Sequence, residues 1–174
     1  MINNPDTLNL GSGENYVDGA LNLDLYAHTA DLRHDLDIYP YPFKDNSFDK
    51  IICNDIIEHL DSVISVMREI HRIAKHGSRV LIRVPHFRSA CLYEDVTHKH
   101  GFAWRSFDIF AADGAIYGEY VSFRYRVMHR EYTPYKVRSL YKLLSRMPVL
   151  TDNLLSKYVP MASIRFELQV LKDS

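Results

Sequence analysis

A strand–helix–strand unit between residues 50 and 84 limits the possible folds of this chain more than any other feature. Residues 50–54 (KIICN) form a short apolar run, which is typical of a buried parallel strand. Residues 61–77 place apolar side chains at helical spacing, with basic side chains near the end and Gly77 as the expected stop. Residues 79–84 (RVLIRV) predict the next strand. Because strands joined through a helix pair in parallel, the unit predicts an α/β layered domain.

Further strands are predicted on both sides of this unit. Three short strands are predicted before it, at residues 7–10, 20–23 and 31–34. In the second half, residues 121–127 and 164–170 alternate apolar and polar side chains, which indicates one-sided antiparallel strands. Residues 134–158 are predicted to be helical with a break at Pro148. We therefore expect a mostly parallel sheet with helices on both faces and antiparallel strands at one edge.

The composition is that of one folded domain. The chain has 174 residues, of which 47% are hydrophobic and 25% charged, so whole-chain disorder and a coiled coil are excluded. It has no run of eighteen apolar residues and begins without a signal-peptide pattern, so we expect neither a membrane span nor secretion. The two cysteines, Cys53 and Cys91, lack metal or redox spacing. A cytoplasmic protein without disulfides is expected.

Charge is distributed unevenly between the two halves. Residues 1–87 carry 13 acidic and 8 basic side chains, and residues 88–174 carry 9 acidic and 13 basic ones, which gives formal charges of −5 and +4. Surfaces that bind nucleic acid usually carry a denser basic stripe. We therefore expect no nucleic-acid partner, while a pocket for an anionic small molecule, or no partner at all, fits the second half equally well.

A glycine-rich turn, Gly11-Ser12-Gly13, follows the first predicted strand. Glycine lets a backbone approach a ligand closely, and ligands of open α/β sheets bind beyond the carboxyl ends of the strands. Ten residues separate Gly13 from Asp24, which leaves room for about one helical turn before the second strand. Because a dinucleotide site needs a full helix there, the spacing favours an adenosine whose ribose hydroxyls are held by Asp24.

Residues 8–13 (LNLGSG) resemble the first motif of class I S-adenosylmethionine (SAM)-dependent methyltransferases. Four later segments resemble the following motifs of that family, in order and at similar spacing, at residues 42–52, 57–60, 69–77 and 82–85. The resemblance implies a Rossmann-like fold with a shortened first helix, SAM as cofactor and S-adenosylhomocysteine as product. Residues 1–174 are then one methyltransferase domain, with a SAM-binding half at residues 1–87 and an acceptor-side half at residues 88–174.

The resemblance also implies a role for each matching residue. Gly11 and Gly13 pass under the amino-acid part of SAM, and Asp24 holds the ribose. Asp35 and Leu36 flank the adenine. The full set assigned to cofactor binding is Asn9, Gly11, Ser12, Gly13, Asp24, Leu25, Asp35, Leu36, Asn54 and Asp55. Of these, Asn54 is expected to line the cleft near the methionine.

Each of these assignments has a plainer alternative. Asp24 is also a common type of turn residue after a strand, and Asp35 also fits a loop carboxylate. Asn9 stands where most members of the family have an acidic residue, and Asn15 stands where a third glycine is common. Both departures are expected to weaken cofactor binding.

The segment between residues 83 and 105 is rich in histidine and charged side chains, and its start lies at the ligand edge of the sheet. A hydroxyl acceptor is helped by a general base, for which histidine is the usual residue near neutral pH. We assign His98 first and His86 second as the catalytic base, with Asp95 as the residue that orients His98. An exposed polar loop without a catalytic role is the alternative.

The same segment offers ligand types for a metal ion. The pattern His98-x-His100, together with Asp95 or His86, would suit zinc or another divalent ion. Because this spacing is common by chance, no metal site is assigned.

Three functions are consistent with these residues. The first is a SAM-dependent methyltransferase acting on a small-molecule or sugar-like acceptor, on oxygen if a histidine is the base. Residues 95–99 (DVTHK) support it, since they resemble a segment of small bacterial and archaeal methyltransferases. The second is a SAM-fold binding protein or partner subunit without turnover, and the third is a nucleic-acid methyltransferase. The oligomeric state is left open.

Overall fold

The computed structural model describes residues 5–112, 121–134, 142–159 and 161–172 of the chain. Its six strands are β1 (Thr7–Leu10), β2 (Leu21–Leu23), β3 (Phe48–Asn54), β4 (Ala74–Pro85), β5 (Arg124–Pro134) and β6 (Met161–Leu171). They form one sheet in the order β2-β1-β3-β4-β6-β5. Strands β1 to β4 pair in parallel, whereas β6 is antiparallel to both β4 and β5. The expected Rossmann-like, mostly parallel sheet with an antiparallel edge is confirmed.

Burial explains which strands occupy the centre of the sheet. Ile51, Ile52 and Cys53 are consecutive buried residues of β3, as expected for a parallel strand covered on both faces. Buried and partly exposed residues alternate along β6, which fits an antiparallel strand near the edge. The strand predicted at residues 31–34 is reduced to one isolated bridge between Leu23 and Leu32. The strand predicted at residues 121–127 begins later, at Arg124.

The principal helix is α1 (Val63–Ile73), which begins where the sequence predicted. The hydroxyl of Ser62 accepts a hydrogen bond from the Ser65 N–H at 3.2 Å and caps the helix. The expected end at Gly77 is wrong, because the chain enters β4 directly at Ala74. Gly77 lies within β4 at a φ of 80°, a backbone conformation that favours glycine over other residues.

The shortened first helix predicted between β1 and β2 is not observed. The described residues 11–20 form turns instead. The side chain of Asn22 takes over the hydrogen bonds that a helix would make. Its Oδ1 accepts from the Val17 N–H at 2.9 Å, and its Nδ2 donates to the carbonyls of Val17 and Ala20 at 3.1 Å. Such side-chain bonds to the backbone compete with helix formation.

The remaining helical segments are short. They are α2 (Cys91–Glu94), α3 (Pro148–Asn153) and the 3₁₀ turns Ile57–His59, Asp108–Phe110 and Leu155–Lys157. Pro148 begins α3, where its missing N–H costs nothing, and so accounts for the predicted break. Residues 135–141 of the predicted helical region lie outside the described residues. Among the described helices, none is long and apolar enough to cross a membrane.

The carboxylate of Glu69, a buried residue of α1, fixes the loop before β3. Glu69 accepts a hydrogen bond from the Tyr41 N–H at 2.8 Å and an ion-paired bond from the Arg72 guanidinium at 2.8 Å. Arg72 also donates to the carbonyl of Phe43 at 2.8 Å. Burial acts to raise the pKa of Glu69, but the bonds from Arg72 and Tyr41 outweigh it and lower the pKa.

We expect Glu69→Ala to lower the free energy of unfolding by about 2 kcal/mol at neutral pH, since it leaves a buried N–H unpaired. The stabilisation by Glu69 is complete above the ordinary glutamate pKa. It is lost as pH falls through the lowered pKa that Glu69 has in the folded protein. Urea unfolding at several pH values measures it. Asp45→Ala is the control, because Asp45 is mostly exposed and pairs with the same arginine. A loss no larger than that of the control would contradict the expectation.

Candidate functional site

A cavity of about 670 Å³ opens at the carboxyl ends of the parallel strands. Its walls come from the loops after β1, β2 and β3 and from the loop that precedes residue 100. The lining residues are Gly11, Asp24, Leu25, Tyr26, His34, Asp35, Leu36, Asp37, Ile56, His59, Leu60, Val96, Thr97 and Lys99. We call it the sheet-edge cavity. It brings together five of the ten residues predicted to bind cofactor, namely Gly11, Asp24, Leu25, Asp35 and Leu36.

Both glycines of the turn have a left-handed backbone, but only Gly11 is closely packed. Gly11 has a φ of 62°, and a Cβ there would lie 2.2 Å from Cγ1 of Ile56, so the position accepts only glycine. Gly13 has a φ of 49° but faces open space. The close packing of Gly11 thus involves the wall of the cavity itself, because Ile56 lines it.

Asp24 holds the turn closed in addition to lining the cavity. Its Oδ2 accepts from the Gly13 N–H at 2.8 Å, and its Oδ1 accepts from the Tyr26 and Ala27 N–H groups at 2.8 Å. Burial acts to raise the pKa of Asp24, but these backbone bonds outweigh it and lower the pKa. A carboxylate offers about four acceptor positions, so these backbone donors leave at most about one for a ligand. The turn-residue and ligand-binding interpretations of Asp24 therefore apply together.

The other predicted residues near the turn lie behind the cavity. Asn9 is buried, and its Nδ2 donates to Asn15 O and to Asn22 Oδ1, both at 2.9 Å. Its amide therefore joins β1 to β2, a bond that a carboxylate could not donate. Ser12 is also buried, and its hydroxyl has no hydrogen-bond partner among the described residues. Neither Asn9 nor Ser12 lines the cavity.

The segment around residue 36 supplies an acidic and an apolar wall. Leu36 is buried in the core, and its carbonyl accepts the hydroxyl of Tyr41 at 2.9 Å. The Oδ1 of Asp35 accepts from the Asp37 N–H at 3.0 Å, so the loop holds its own carboxylate in place. Two acceptor groups, Asp24 and Asp35, thus face a cavity that also presents the apolar side chains of Leu36 and Ile56.

Asn54 and Asp55 do not join this set. Asn54 lines a neighbouring groove of about 360 Å³ with Arg83 and Phe166. Asp55 forms an ion pair with Arg83, whose Nε donates to its Oδ1 at 3.0 Å. Asp55 also has a φ of 52°, an uncommon backbone conformation for a residue other than glycine. Neither residue lines the sheet-edge cavity, and their contact with the cofactor stays a prediction.

His86, the second residue predicted as a base, makes structural hydrogen bonds in this geometry. It is completely buried, its Nε2 donates to Asp152 at 3.1 Å, and its Nδ1 accepts from the Arg88 N–H at 3.1 Å. Asp152 also accepts from the Tyr132 hydroxyl at 2.6 Å and from the Trp104 N–H at 2.9 Å. With both ring nitrogens occupied, His86 has no lone pair for an acceptor proton.

His98 is oriented by the backbone and not by Asp95. Its Nδ1 donates to the carbonyl of Leu92 at 3.1 Å, which leaves Nε2 as the nitrogen with a lone pair. Asp95 instead accepts both the hydroxyl of Thr97, at 2.6 Å, and the Thr97 N–H, at 2.8 Å. The predicted hydrogen bond between the Asp95 and His98 side chains is therefore absent among the described contacts, and the two residues are joined through the backbone, where the His98 N–H donates to the Asp95 carbonyl at 3.3 Å.

His59 is the histidine that Asp95 reaches, through Thr97. The Thr97 hydroxyl gives its hydrogen to Asp95, so it accepts from Nδ1 of His59 at 2.8 Å. The ring centroids of His59 and His98 are 4.5 Å apart. Burial, followed by the charge of His98, lowers the pKa of His59. The structure places His59 in the cavity wall.

The loop that carries His98 is fastened to the segment after β3. The carbonyl of Glu58 accepts from the N–H groups of Lys99 at 2.7 Å and His100 at 3.2 Å. The ammonium of Lys99 pairs with Asp61 at 2.6 Å. Burial raises the pKa of the Glu58 carboxyl to about 8. The lining residues Val96, Thr97 and Lys99 were missed in the sequence, since only these long-range bonds show which side of the loop faces the cavity.

Comparisons with known proteins agree with the fold. Residues 22–82 match a family model described as a methyltransferase domain. An uncharacterized methyltransferase of Schizosaccharomyces pombe is 34% identical over 56 residues, which are 32% of this chain and 20% of that protein. The chain therefore spans about a fifth of the length of that relative.

Two solved structures extend the likeness to nearly the whole chain. A SAM-dependent methyltransferase from Archaeoglobus fulgidus has a TM-score of 0.61 at 13% identity, covering 94% of this chain and 85% of its own. A phosphoethanolamine N-methyltransferase of Haemonchus contortus, solved in complex with SAM, has a TM-score of 0.55 at 16% identity, covering 96% and 48%. At such identities the likeness concerns the fold.

We expect Gly11→Ala to destabilise the protein by about 3 kcal/mol, since it combines a left-handed backbone with a clash against Ile56. Gly13→Ala is the matched control, because it has the same backbone strain but open space. Its expected cost is about 1 kcal/mol. Urea midpoints of both variants measure the difference, and equal midpoints would contradict the close packing at Gly11.

Asp152→Ala is expected to lower the free energy of unfolding by about 3 kcal/mol, since it leaves the buried donors of His86, Tyr132 and Trp104 unpaired. Glu131→Ala is the control, because its ion pair with Arg165 is long and largely exposed. Thermal unfolding compares the two variants. A small effect of Asp152→Ala would indicate that His86 is not held structurally.

Proposed function

Since the chain carries a class I SAM-dependent methyltransferase domain, we propose that it binds SAM in the sheet-edge cavity and methylates a small-molecule or sugar-like acceptor on oxygen. One observation supports this most strongly. Five residues that the family resemblance assigns to the cofactor, scattered between Gly11 and Leu36 in the sequence, line a single cavity at the expected sheet edge.

The donor groups of the cavity suit the parts of SAM. Its volume of about 670 Å³ lies in the range typical of small-molecule sites. Leu36, Ile56 and Leu60 offer apolar surface for an adenine ring, and Asp35 offers an acceptor for its amino group. Asp24 keeps about one acceptor position for a ribose hydroxyl. The residues present therefore fit the cofactor, with a weaker ribose anchor than an unencumbered carboxylate would give.

When bound, SAM would supply a methyl group on a positively charged sulfur; an acceptor oxygen would bond to that carbon as the carbon–sulfur bond breaks, and the hydroxyl proton would pass to a base of the protein or to solvent. The protein contributes mainly by aligning the reacting groups. The wall formed by His59, Thr97 and Lys99 lies on the acceptor-side loop and bounds the same cavity. The lone pair on Nε2 of His59 is a group of this wall able to accept the hydroxyl proton. We therefore place the acceptor against this wall.

A domain that binds SAM without turnover is the second candidate. Exposed apolar side chains concentrate in and around α3, at Leu143, Met147, Val149, Leu150, Leu154 and Tyr158. Exposed apolar surface of this extent is typical of protein contacts. It favours the partner-subunit alternative, in which the cavity binds cofactor but the acceptor chemistry belongs to another chain.

Calorimetric titration with SAM and with S-adenosylhomocysteine tests the binding step. We expect micromolar affinity for the unaltered chain and at least about a tenfold loss in Asp24→Asn. The asparagine keeps an oxygen for Tyr26 and Ala27 but not the acceptor for the Gly13 N–H, so circular dichroism establishes that the variant is folded. Asp49→Asn is the control, because Asp49 lies at the amino end of β3, on the opposite edge of the sheet.

Absence of binding to either compound would overturn the proposal. Binding that Asp24→Asn leaves unchanged would place the ligand elsewhere. If SAM binds, formation of S-adenosylhomocysteine is measured with hydroxylated small molecules and sugars as acceptors. Tight binding without any product in such a screen would favour the second candidate over a methyltransferase.

A further inference from the structure

A buried carboxylate next to the sheet-edge cavity lacks a positive partner. Glu58 is 1% exposed, and its Oε2 has no hydrogen-bond partner among the described residues. The positive charge of Arg83 acts on Glu58, but the Arg83 guanidinium forms its ion pair with Asp55. A buried acidic group left in this way is costly unless a cation or a donor compensates it.

Two histidines beside Glu58 each use one ring nitrogen in a hydrogen bond. Nδ1 of His98 donates to the Leu92 carbonyl, and Nδ1 of His59 donates to the Thr97 hydroxyl. The neutral ring therefore carries its lone pair on Nε2 in both residues, and neither Nε2 has a partner among the described contacts. Hydrogen bonds that fix the tautomer in this manner are typical of histidines that bind metals. In His59 the chain of bonds continues to Asp95.

These three side chains converge. A carboxylate oxygen of Glu58, a ring nitrogen of His59 and a ring nitrogen of His98 lie within 4.8 Å of one another. When the Glu58 carboxyl is ionised and both rings are neutral, the three groups are acceptors, so no hydrogen bond among them relieves their mutual repulsion. A single cation between them would satisfy all three, and small shifts would bring them to coordination distance.

We propose that Glu58, His59 and His98 bind one divalent transition-metal ion, with its open positions facing the sheet-edge cavity. Two imidazoles and one carboxylate suit zinc, iron, cobalt or manganese better than calcium or magnesium, which prefer oxygen ligands alone. Three protein ligands leave room for further ones, as in catalytic rather than structural sites.

The position of this ion bears on the acceptor, and that part depends on the proposed function. His59 lines the cavity, so an acceptor hydroxyl placed against its wall can reach an open coordination position. A metal-bound hydroxyl loses its proton more readily than a free one. His59 and His98 then serve as ligands and not as bases, because one lone pair cannot do both, and the hydroxyl proton passes to solvent in the cavity.

The site differs from the metal pattern that the sequence suggested. Nε2 of His100 donates to the carbonyl of Leu60 at 2.9 Å, and His86 is enclosed with Asp152. Asp95 acts through Thr97 and supplies no ligand. Two of the three proposed ligands, Glu58 and His59, belong instead to a 3₁₀ turn 39 residues before His98.

The experiment uses the whole chain, freed of metal by dialysis against a chelator. Zn²⁺ is titrated by calorimetry, and Co²⁺ is titrated by visible absorption, which reports coordination geometry. We expect one saturable site per chain, with an affinity reduced at least about tenfold in Glu58→Gln and in His98→Gln. His100→Gln is the matched control on the same loop and should bind as the unaltered chain does. Circular dichroism establishes that each variant is folded.

Two results would overturn the metal site: no one-to-one Co²⁺ absorption, or an affinity that neither substitution changes. If one variant fails to fold, the other still decides. SAM binding is measured separately on the metal-free chain. Metal binding without SAM binding would remove the proposed function and leave the site standing, whereas SAM binding without metal binding would remove the site alone.

Discussion

The carbonyl of Glu58 accepts the N–H groups of Lys99 and His100, and the site depends on these two bonds. They join the turn after β3 to a loop about forty residues later in the chain. The ion pair of Lys99 with Asp61 holds the same two segments together. As a result Thr97 and Lys99 become a wall of the cavity, and His98 comes to lie beside His59.

The glycine-rich turn couples ligand binding to the stability of the loop. Most of the acceptor positions of Asp24 are occupied by backbone N–H groups, including that of Gly13. Gly11 packs directly on Ile56. Both residues would stabilise the turn even if no ligand bound. The same motif residues can thus stabilise the local structure and bind the cofactor. A turn that brings backbone close to a ligand must itself be held in place.

Much of the fold was predictable because burial on both faces leaves a strong apolar signal, as in β3 and β4. The predictions failed where side chains replaced backbone bonds. Asn22 bonds to Val17 and Ala20 and so removes the expected first helix. At Gly77 a typical helix stop signal occurs inside a strand, because pairing with the sheet outweighs local preference.

The sequence by itself determined the fold class, the position of the glycine-rich turn and most of the cavity wall between residues 11 and 36. These features arise from periodicity and from residues close together in the chain, so local chemistry suffices to predict them. Only the tertiary structure decided the roles of the histidines. His86 faces the core and pairs with Asp152, whereas His98 meets Glu58 and His59. Such contacts depend on how separate loops pack together. The sequence around each residue gives no signal of which distant residue it will contact.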